Sequence, residues 1–440
     1  MATYLSRTPS SAGNRKKYTW SGWVKRCSID GTQQNLMAVS TANNDFNLLY
    51  FSTTEELVMY FADNAATAGY LQSTRKFRDP NAWYHIVARV DTTHGTADNR
   101  IRLYVNGEQL TNFVSRVNPS VNYEGLINTS GNRMDISGSG AGMSSGANNF
   151  KGLMSHVHFL DGEDRDASYF GSTDSTTGEW QINTSPTGIN YGTNGFFILK
   201  DGNSVTDQSG QSNNLAVTAG TLTKTEDNPS NSFTTLNPLV YTSTSVTYGH
   251  GNSSITASSS GQWASIQSTL GASSGKYYCE IKINSVGSYQ AIGVGYQPNI
   301  SNTDGTQLIG ELNGSAGWRN NGALVHGGSN INTYTTGDIL MIAMDLDNQK
   351  LYFGKNGTWE NSGVPTSGST GTGSVKDLTA NQFYHFVIVP RGGSNYCNFG
   401  NGFYGTTAIS SEGTNASGIG KFEYDVPSGY TALSTKGLNL

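Results

Sequence analysis

The chain has 440 residues, too many for one β-sandwich and comfortable for two, with only 13% charged residues and a formal net charge of −5. No basic stripe marks a nucleic-acid reader, and no apolar run is long enough to insert into a bilayer. Cys27, Cys279 and Cys397 lack the spacing of a disulfide framework, and the first residues lack the apolar core of a secretory signal, so folding in a reducing cytoplasm is expected.

Gly, Ser, Thr and Asn are abundant, yet 23 Tyr and 17 Phe sit largely inside alternating apolar segments, which argues for sheets over disorder. The first clear strand, residues 18–26, places Tyr18, Trp20, Gly22 and Val24 on one face and Trp23 on the other. Next comes an apolar-rich strand from Trp83 to Asp91, a polar stretch, and a Tyr-bearing strand that ends at Asn106-Gly107. A further strand spans residues 150–160. The same grammar returns far down the chain: an apolar strand from Ile339 towards Asp345, then Leu351-Tyr352-Phe353, then Asn356-Gly357. Asn-Gly suits a two-residue type I′ hairpin because both central residues need φ > 0. Sustained helical periodicity is absent. The expected fold class is all-β, two tandem antiparallel β-sandwiches of jelly-roll type. The expected boundaries are 1–200 and 241–440, with an irregular Asn- and Pro-containing connector over 201–240.

Three ordered segments of the first module, YTWSGWVKR (18–26), WYHIVARVD with RLYVNGE (83–108) and FKGLMSHVHFLDGE (150–163), resemble the laminin-G-like branch of the concanavalin-type jelly rolls. The string that follows, from Tyr169 through Trp180 and Asp207 to Leu239, is similar to segments in structural proteins of tailed bacteriophages. In the second module GKYYCEIKI (275–283), IGVGY (292–296), GWRNNGALVHGG (317–328) and MDLDNQKLYFGKNG (344–357) resemble the SPRY domain. That resemblance implies a non-enzymatic bent sandwich whose loops at one end bind peptides or proteins.

The motifs of chemistry are weak. Residues 271–275 and 142–146 match G-x-S-x-G but lie in Gly/Ser loops, where a nucleophile elbow needs a strand before and a helix after. Residues 400–405 match G-x-G-x-x-G with no helix to follow. Glycoside hydrolysis needs two carboxyl groups roughly 5–9.5 Å apart across the scissile bond. The nearest acidic run, Asp161, Glu163, Asp164 and Asp166, reads as a loop entering a short helical turn. His156 and His158 would share one strand face, as a metal site or as a lining. Calcium is the more plausible ion, with Asp201, Asp207 and Asn213 as candidate ligands among Asn203, Ser209 and Asn214; ordinary Asx-turns account for the same residues.

Ligand binding is expected at Trp318, Arg319 and Asn320, which offer an aromatic, a guanidinium and an amide beside a turn, with Trp359 as a second anchor. The alternative for Trp318 is a place in the core. Tyr70 and the loop of Arg75, Lys76, Phe77 and Arg78 are the candidates of the first module. Together these features lead to the expectation of a non-enzymatic virion surface protein, synthesised in the host cytoplasm and present in several copies on the particle exterior. It would bind a host-surface glycan or protein, with no required cofactor. The alternatives are a capsid decoration or tail-assembly component that binds other virion proteins, and a glycan depolymerase.

Overall fold

The computed structural model describes residues 3–144, 148–200, 202, 204–240, 246–258, 265–296, 315–326 and 328–440. The chain is nearly all β and divides into two compact units, Met1–Lys224 and Thr225–Leu440.

Unit one is a sandwich of two antiparallel sheets. The eight-stranded sheet runs, edge to edge, Phe113–Val117, Ala66–Lys76, Glu56–Asp63, Asp45–Phe51, Gln34–Ala42, Met134–Ile136, Tyr4–Arg7 and Ala216–Ala219. The six-stranded sheet runs Phe196–Ile198, Gly152–Asp161, Lys17–Arg26, Trp83–Asp91, Ile101–Val105 and Glu108–Gln109. Alternation explains the core between them: Tyr18, Trp20 and Val24 point inward with Ile86, Ala88 and Val90, against Leu49, Phe51, Met59 and Phe61 of the facing sheet. Gly22 shares the inward parity because a Cβ there would come within 2.7 Å of the Trp20 indole. Trp23 takes the opposite face and stacks on His85 at 5.0 Å.

Unit two pairs a nine-stranded sheet, centred on Lys276–Ser285, Ile339–Asp345 and Lys350–Lys355, with a five-stranded sheet that includes Ala291–Tyr296, Ala316–Arg319 and Tyr384–Val389. Its inner core holds Ile281, Ile283, Trp318, Ile342, Phe353 and Phe386. The outer face of the larger sheet is also covered. Residues 413–434 cross it irregularly and bury Tyr278, Tyr352, Phe422 and Tyr430.

Both Asn-Gly pairs form two-residue hairpin turns in the left-handed region, with φ of 48° and 84° at Asn106-Gly107 and 50° and 85° at Asn356-Gly357. They share a further contact. Each Asn Oδ1 accepts the N–H of a residue on the preceding hairpin strand, His85 or Ile339, at 2.8 Å, and each Asn N–H donates back to that residue's carbonyl.

The stretch read as a connector divides between the units. Ala216–Ala219 adds an edge strand to Tyr4–Arg7, and Leu215 enters the core of unit one. Phe233 and Leu236 belong to the clusters of unit two, where Phe233 bridges to Ser434. Asn and Pro hide these contacts because they break alternation without preventing burial of the residues between them.

Candidate functional site

The carboxylates after the strand Gly152–Asp161 each have their own partner. Asp161 accepts from the Asn14 and Asn194 amides and from Asn128 Nδ2 at 2.7–3.0 Å. Glu163 pairs with Arg165 at 2.8 Å, and Asp164 pairs with Arg89 and Lys17. Asp166 caps the 3-10 turn Ala167–Tyr169 by accepting from Ser168 N–H. Paired in this way they hold loops, and the hydrogen-bonded Arg165 guanidinium lowers the Glu163 pKa, which disfavours a general acid there.

A serine–histidine contact does occur, Ser21 Oγ to His85 Nε2 at 2.9 Å. Its polarity is wrong for catalysis. Trp180 Nε1–H donates to His85 Nδ1 at 3.0 Å, so the proton of the neutral imidazole sits on Nε2 and faces Ser21. A base would need the reverse tautomer, held by a carboxylate. Burial pushes the His85 pKa down to about 3 and keeps the ring neutral.

His156 and His158 both pack against the Phe197 ring, at 5.7 and 3.9 Å. A β-bulge between Ser155 and His158 shifts the register, and His156 takes φ of 49°. His158 stacks on Phe197 at 3.9 Å and its Nδ1 meets the Tyr191 hydroxyl at 2.8 Å, while His156 Nδ1 meets Ser155 Oγ.

At the described calcium candidates the side-chain oxygens already accept from protein donors. Asp207 Oδ1 accepts from the Phe197 and Ser209 amides, and Oδ2 from the Asn213 amide and the Ser209 hydroxyl, all at 2.8–2.9 Å. Asn213 Oδ1 accepts from the Arg7 guanidinium. Donors surround these oxygens, and a cation needs them bare. Asp201 and Asn203 lie outside the described residues, among which no three His, Cys, Asp or Glu side chains converge.

Unit two gathers three loops at one end of its sandwich. The register requires it: Ser285 pairs with Ser394, and Ala291 pairs with both Arg319 and Val389. The loop 286–290, the turn 320–323 and the turn 390–393 therefore meet. Tyr289 stands on this rim, 44% exposed, with the Arg319 guanidinium 5.9 Å and the Arg391 guanidinium 5.6 Å from its ring centre. Gly287 permits the approach, since a Cβ there would lie 1.9 Å from the Arg391 carbonyl oxygen.

Of the four residues expected to bind ligand, only Arg319 reaches the rim as a side chain against the exposed ring. Trp318 is fully buried, edge-on to Tyr334 at 5.3 Å and stacked on Phe353 at 5.7 Å, and its Nε1–H donates to the Asn332 carbonyl. It fills the core and shows no face to a ligand. Asn320 braces the loops: its amide donates to the Gln290 carbonyl at 3.1 Å and its carbonyl accepts from Tyr334. Trp359 is half-buried near Tyr278 and Tyr424, where it supports the chain crossing the outer sheet face. In unit one, Arg75 packs over Phe77 and Lys76 pairs with Glu56. Tyr289 and Arg391 were not anticipated; the only sign of them is a lone Tyr in a Gly/Ser loop and an Arg after Pro390 in a Gly turn.

Residues 2–168 match the family described as the concanavalin A-like lectin/glucanases superfamily. No curated protein matches the chain. Among solved structures it is similar to a SAP-like pentraxin from Limulus polyphemus (14% identity, 45% of this chain and 86% of that one, TM-score 0.31). It is also similar to the SPRY domain of human HERC1 (18% identity, 37% and 96%, TM-score 0.28). A third similarity is to a putative carbohydrate binding protein from Bacteroides ovatus (14% identity, 51% and 60%, TM-score 0.33). The chain is thus an all-β protein with a match to the concanavalin A-like superfamily in its first 168 residues.

Proposed function

We propose that the chain is a non-enzymatic binding protein that holds a cell-surface glycan or protein at the loop rim of unit two. The observation that carries this reading is the exposed Tyr289 ring between the guanidiniums of Arg319 and Arg391. Tyr and Arg dominate the energetics of recognition because each offers a flat apolar surface and directed donors at low entropic cost. The non-enzymatic part is supported by the partnered carboxylates of unit one and by the tautomer of His85. The setting we propose is the exterior of a tailed-phage particle, in several copies; it is supported by the resemblance of residues 169–239 to phage structural proteins. Multiple copies raise avidity by roughly 10²–10⁴ over a weak single site.

The test displays the protein multivalently on beads and measures binding to candidate host cells and to glycan and peptide arrays. Tyr289→Ala should lower binding about tenfold or more, the loss typical of a central aromatic anchor. Gly287→Ala should act similarly by forcing the rim apart. A flat profile on all surfaces, or binding indifferent to both substitutions, refutes the rim. A chain-specific label at tail-fibre tips would support adhesion. An even label over the capsid shell would support decoration, a reading the same Tyr and Arg chemistry accommodates. No label on any particle would remove the virion setting.

A further inference from the structure

We infer that the hairpin 171–182 of unit one is an acid-released latch: when His85 takes up a proton, the Trp180 indole leaves its slot and uncovers the aromatic patch beneath it on the six-stranded sheet. Gly171–Thr173 and Trp180–Ile182 pair with each other in a two-stranded sheet that joins neither large sheet. A lone two-stranded hairpin is marginal in water, so something must hold it down. Among the described residues its hydrogen bonds stay within 169–183 except one, from Trp180 Nε1 to His85 Nδ1 at 3.0 Å.

Trp180 sits where two glycines make room. A Cβ at Gly107 would lie 2.5 Å from its ring, and one at Gly171 2.7 Å. The indole is nearly coplanar with the imidazole, at 15°, and Trp23 stacks on the same imidazole at 5.0 Å. Tyr104, Val87 and Phe170 complete the packing. An indole nitrogen can only donate, so the bond requires His85 Nδ1 to be bare. Nε2–H already donates to Ser21 Oγ at 2.9 Å. A second ring proton would point one N–H at another in a site only 1% exposed, which turns the single tie of the hairpin into a repulsion. The Trp23 face attracts an imidazolium, but it supplies no acceptor for the new N–H.

The surrounding charges do not offset this. On the same sheet face Arg89 is engaged by Asp164, Lys25 by Asn81, and His158 by the Tyr191 hydroxyl; Arg102 and Tyr104 come from Ile101–Val105, and Tyr169 from the covering chain. The hairpin itself brings Asp174 and Glu179. Backbone N–H groups of Thr177 and Thr176 hold the Asp174 carboxyl below its ordinary value, so it stays ionised when the imidazole titrates. Burial pushes the closed-state pKa of His85 down to about 3, against about 6.5 for a hydrated imidazole. A depressed value favours closure above pH 6.5 and loses it as pH falls. Between pH 7 and pH 4 the ratio of open to closed hairpin should rise roughly 200-fold.

The test is hydrogen exchange of the full-length protein at pH 7 and pH 4, each corrected for the intrinsic amide rate. Protection in residues 171–183 should fall by about 100-fold or more, while Asp45–Phe51 and Glu56–Asp63 in the facing sheet keep theirs. His85→Asn puts an oxygen near the Nδ1 position and does not titrate, so the same comparison should change less than about threefold. Trp180→Ala should leave 171–183 open already at pH 7. Unchanged protection at pH 4 in the wild type overturns the latch. So does a fall in which both sheets lose protection together, a fall of equal size in His85→Asn, or wild-type protection at pH 7 in Trp180→Ala. Should His85→Asn not fold, the wild type and Trp180→Ala still decide the matter.

Discussion

Glu280→Gln removes one charge and changes almost no volume, which makes it a sharp probe of how unit two holds its last residues. Glu280 is fully buried on the outer face of the nine-stranded sheet with no cation beside it among the described residues. Five donors supply its solvation. Oε1 accepts from Tyr278 Oη at 3.0 Å and the Tyr424 amide at 2.8 Å. Oε2 accepts from Tyr404 Oη at 2.6 Å, the Glu423 amide at 2.9 Å and Asn398 Nδ2 at 3.3 Å. An amide can replace only one oxygen. With Nε2 at the Oε1 position, Tyr278 can rotate its hydroxyl to accept, but the Tyr424 amide is left facing an N–H. One buried unsatisfied donor costs about 1–3 kcal/mol, and the remaining bonds lose the strength an ionised acceptor gave them. The expected loss is therefore about 2–4 kcal/mol. Urea titration of the full chain should report it, and hydrogen exchange should show lost protection in residues 413–434 before the inner core.

The pH dependence fixes a second feature of the same variant. Burial raises the Glu280 pKa against the pull of its donors. A raised folded pKa contributes stability that is fully present below the unfolded carboxylate value near 4.3 and is lost as pH rises through the folded value. The stability gap between wild type and Glu280→Gln should thus be wider at pH 5 than at pH 8. A variant as stable as wild type, or a gap that widens with rising pH, refutes this account of the clasp.

Two further outcomes concern unit one. Arg26 is fully buried, paired with Glu55 at 2.5 Å and stacked over Phe51 at 4.5 Å. Glu55→Gln should cost about 3–5 kcal/mol in a denaturant titration, because the guanidinium keeps its desolvation penalty and loses its counter-charge. His85 has a folded pKa near 3, well below its ordinary value, and burial lowers His158 in the same direction. Depressed histidine values give stability that is present above the unfolded pKa near 6.5 and lost as pH falls. Each such group contributes a slope approaching 1.4 kcal/mol per pH unit between about pH 6 and pH 4, and His85→Leu should flatten the urea midpoint profile over that window.

The strands were legible because sheets report themselves through parity. Residues 18–26 show their inward set as every second residue, and both Asn-Gly turns state their φ requirement in the residue types. Where the structure departs, parity carried no information. Ala216–Ala219 is solvated on both faces and has no alternation to read. The bulge at Ser155–His158 inserts a residue with no sequence mark. On the strand Lys276–Ser285, Tyr278 and Glu280 look like a polar, solvent-facing parity; they are buried because residues more than 140 positions later cross that face.

Trp318 and Tyr289 show why the loop rim is harder to read than the fold. Trp318 stands between a glycine and an arginine at the mouth of a turn and resembles an exposed anchor, but Ala316 two residues earlier shares its parity and is equally buried. Strand parity, taken strictly, places that indole in the core. Tyr289 belongs to a loop, where no period constrains orientation, and its partners come from two other loops, one about 100 residues away. Only the pairing of Ala291 with both Arg319 and Val389 brings those loops to one end. Register is a property of the assembled sheet, set by which strands neighbour one another. A site built from register therefore becomes visible only after topology is known, although every residue in it was in plain view.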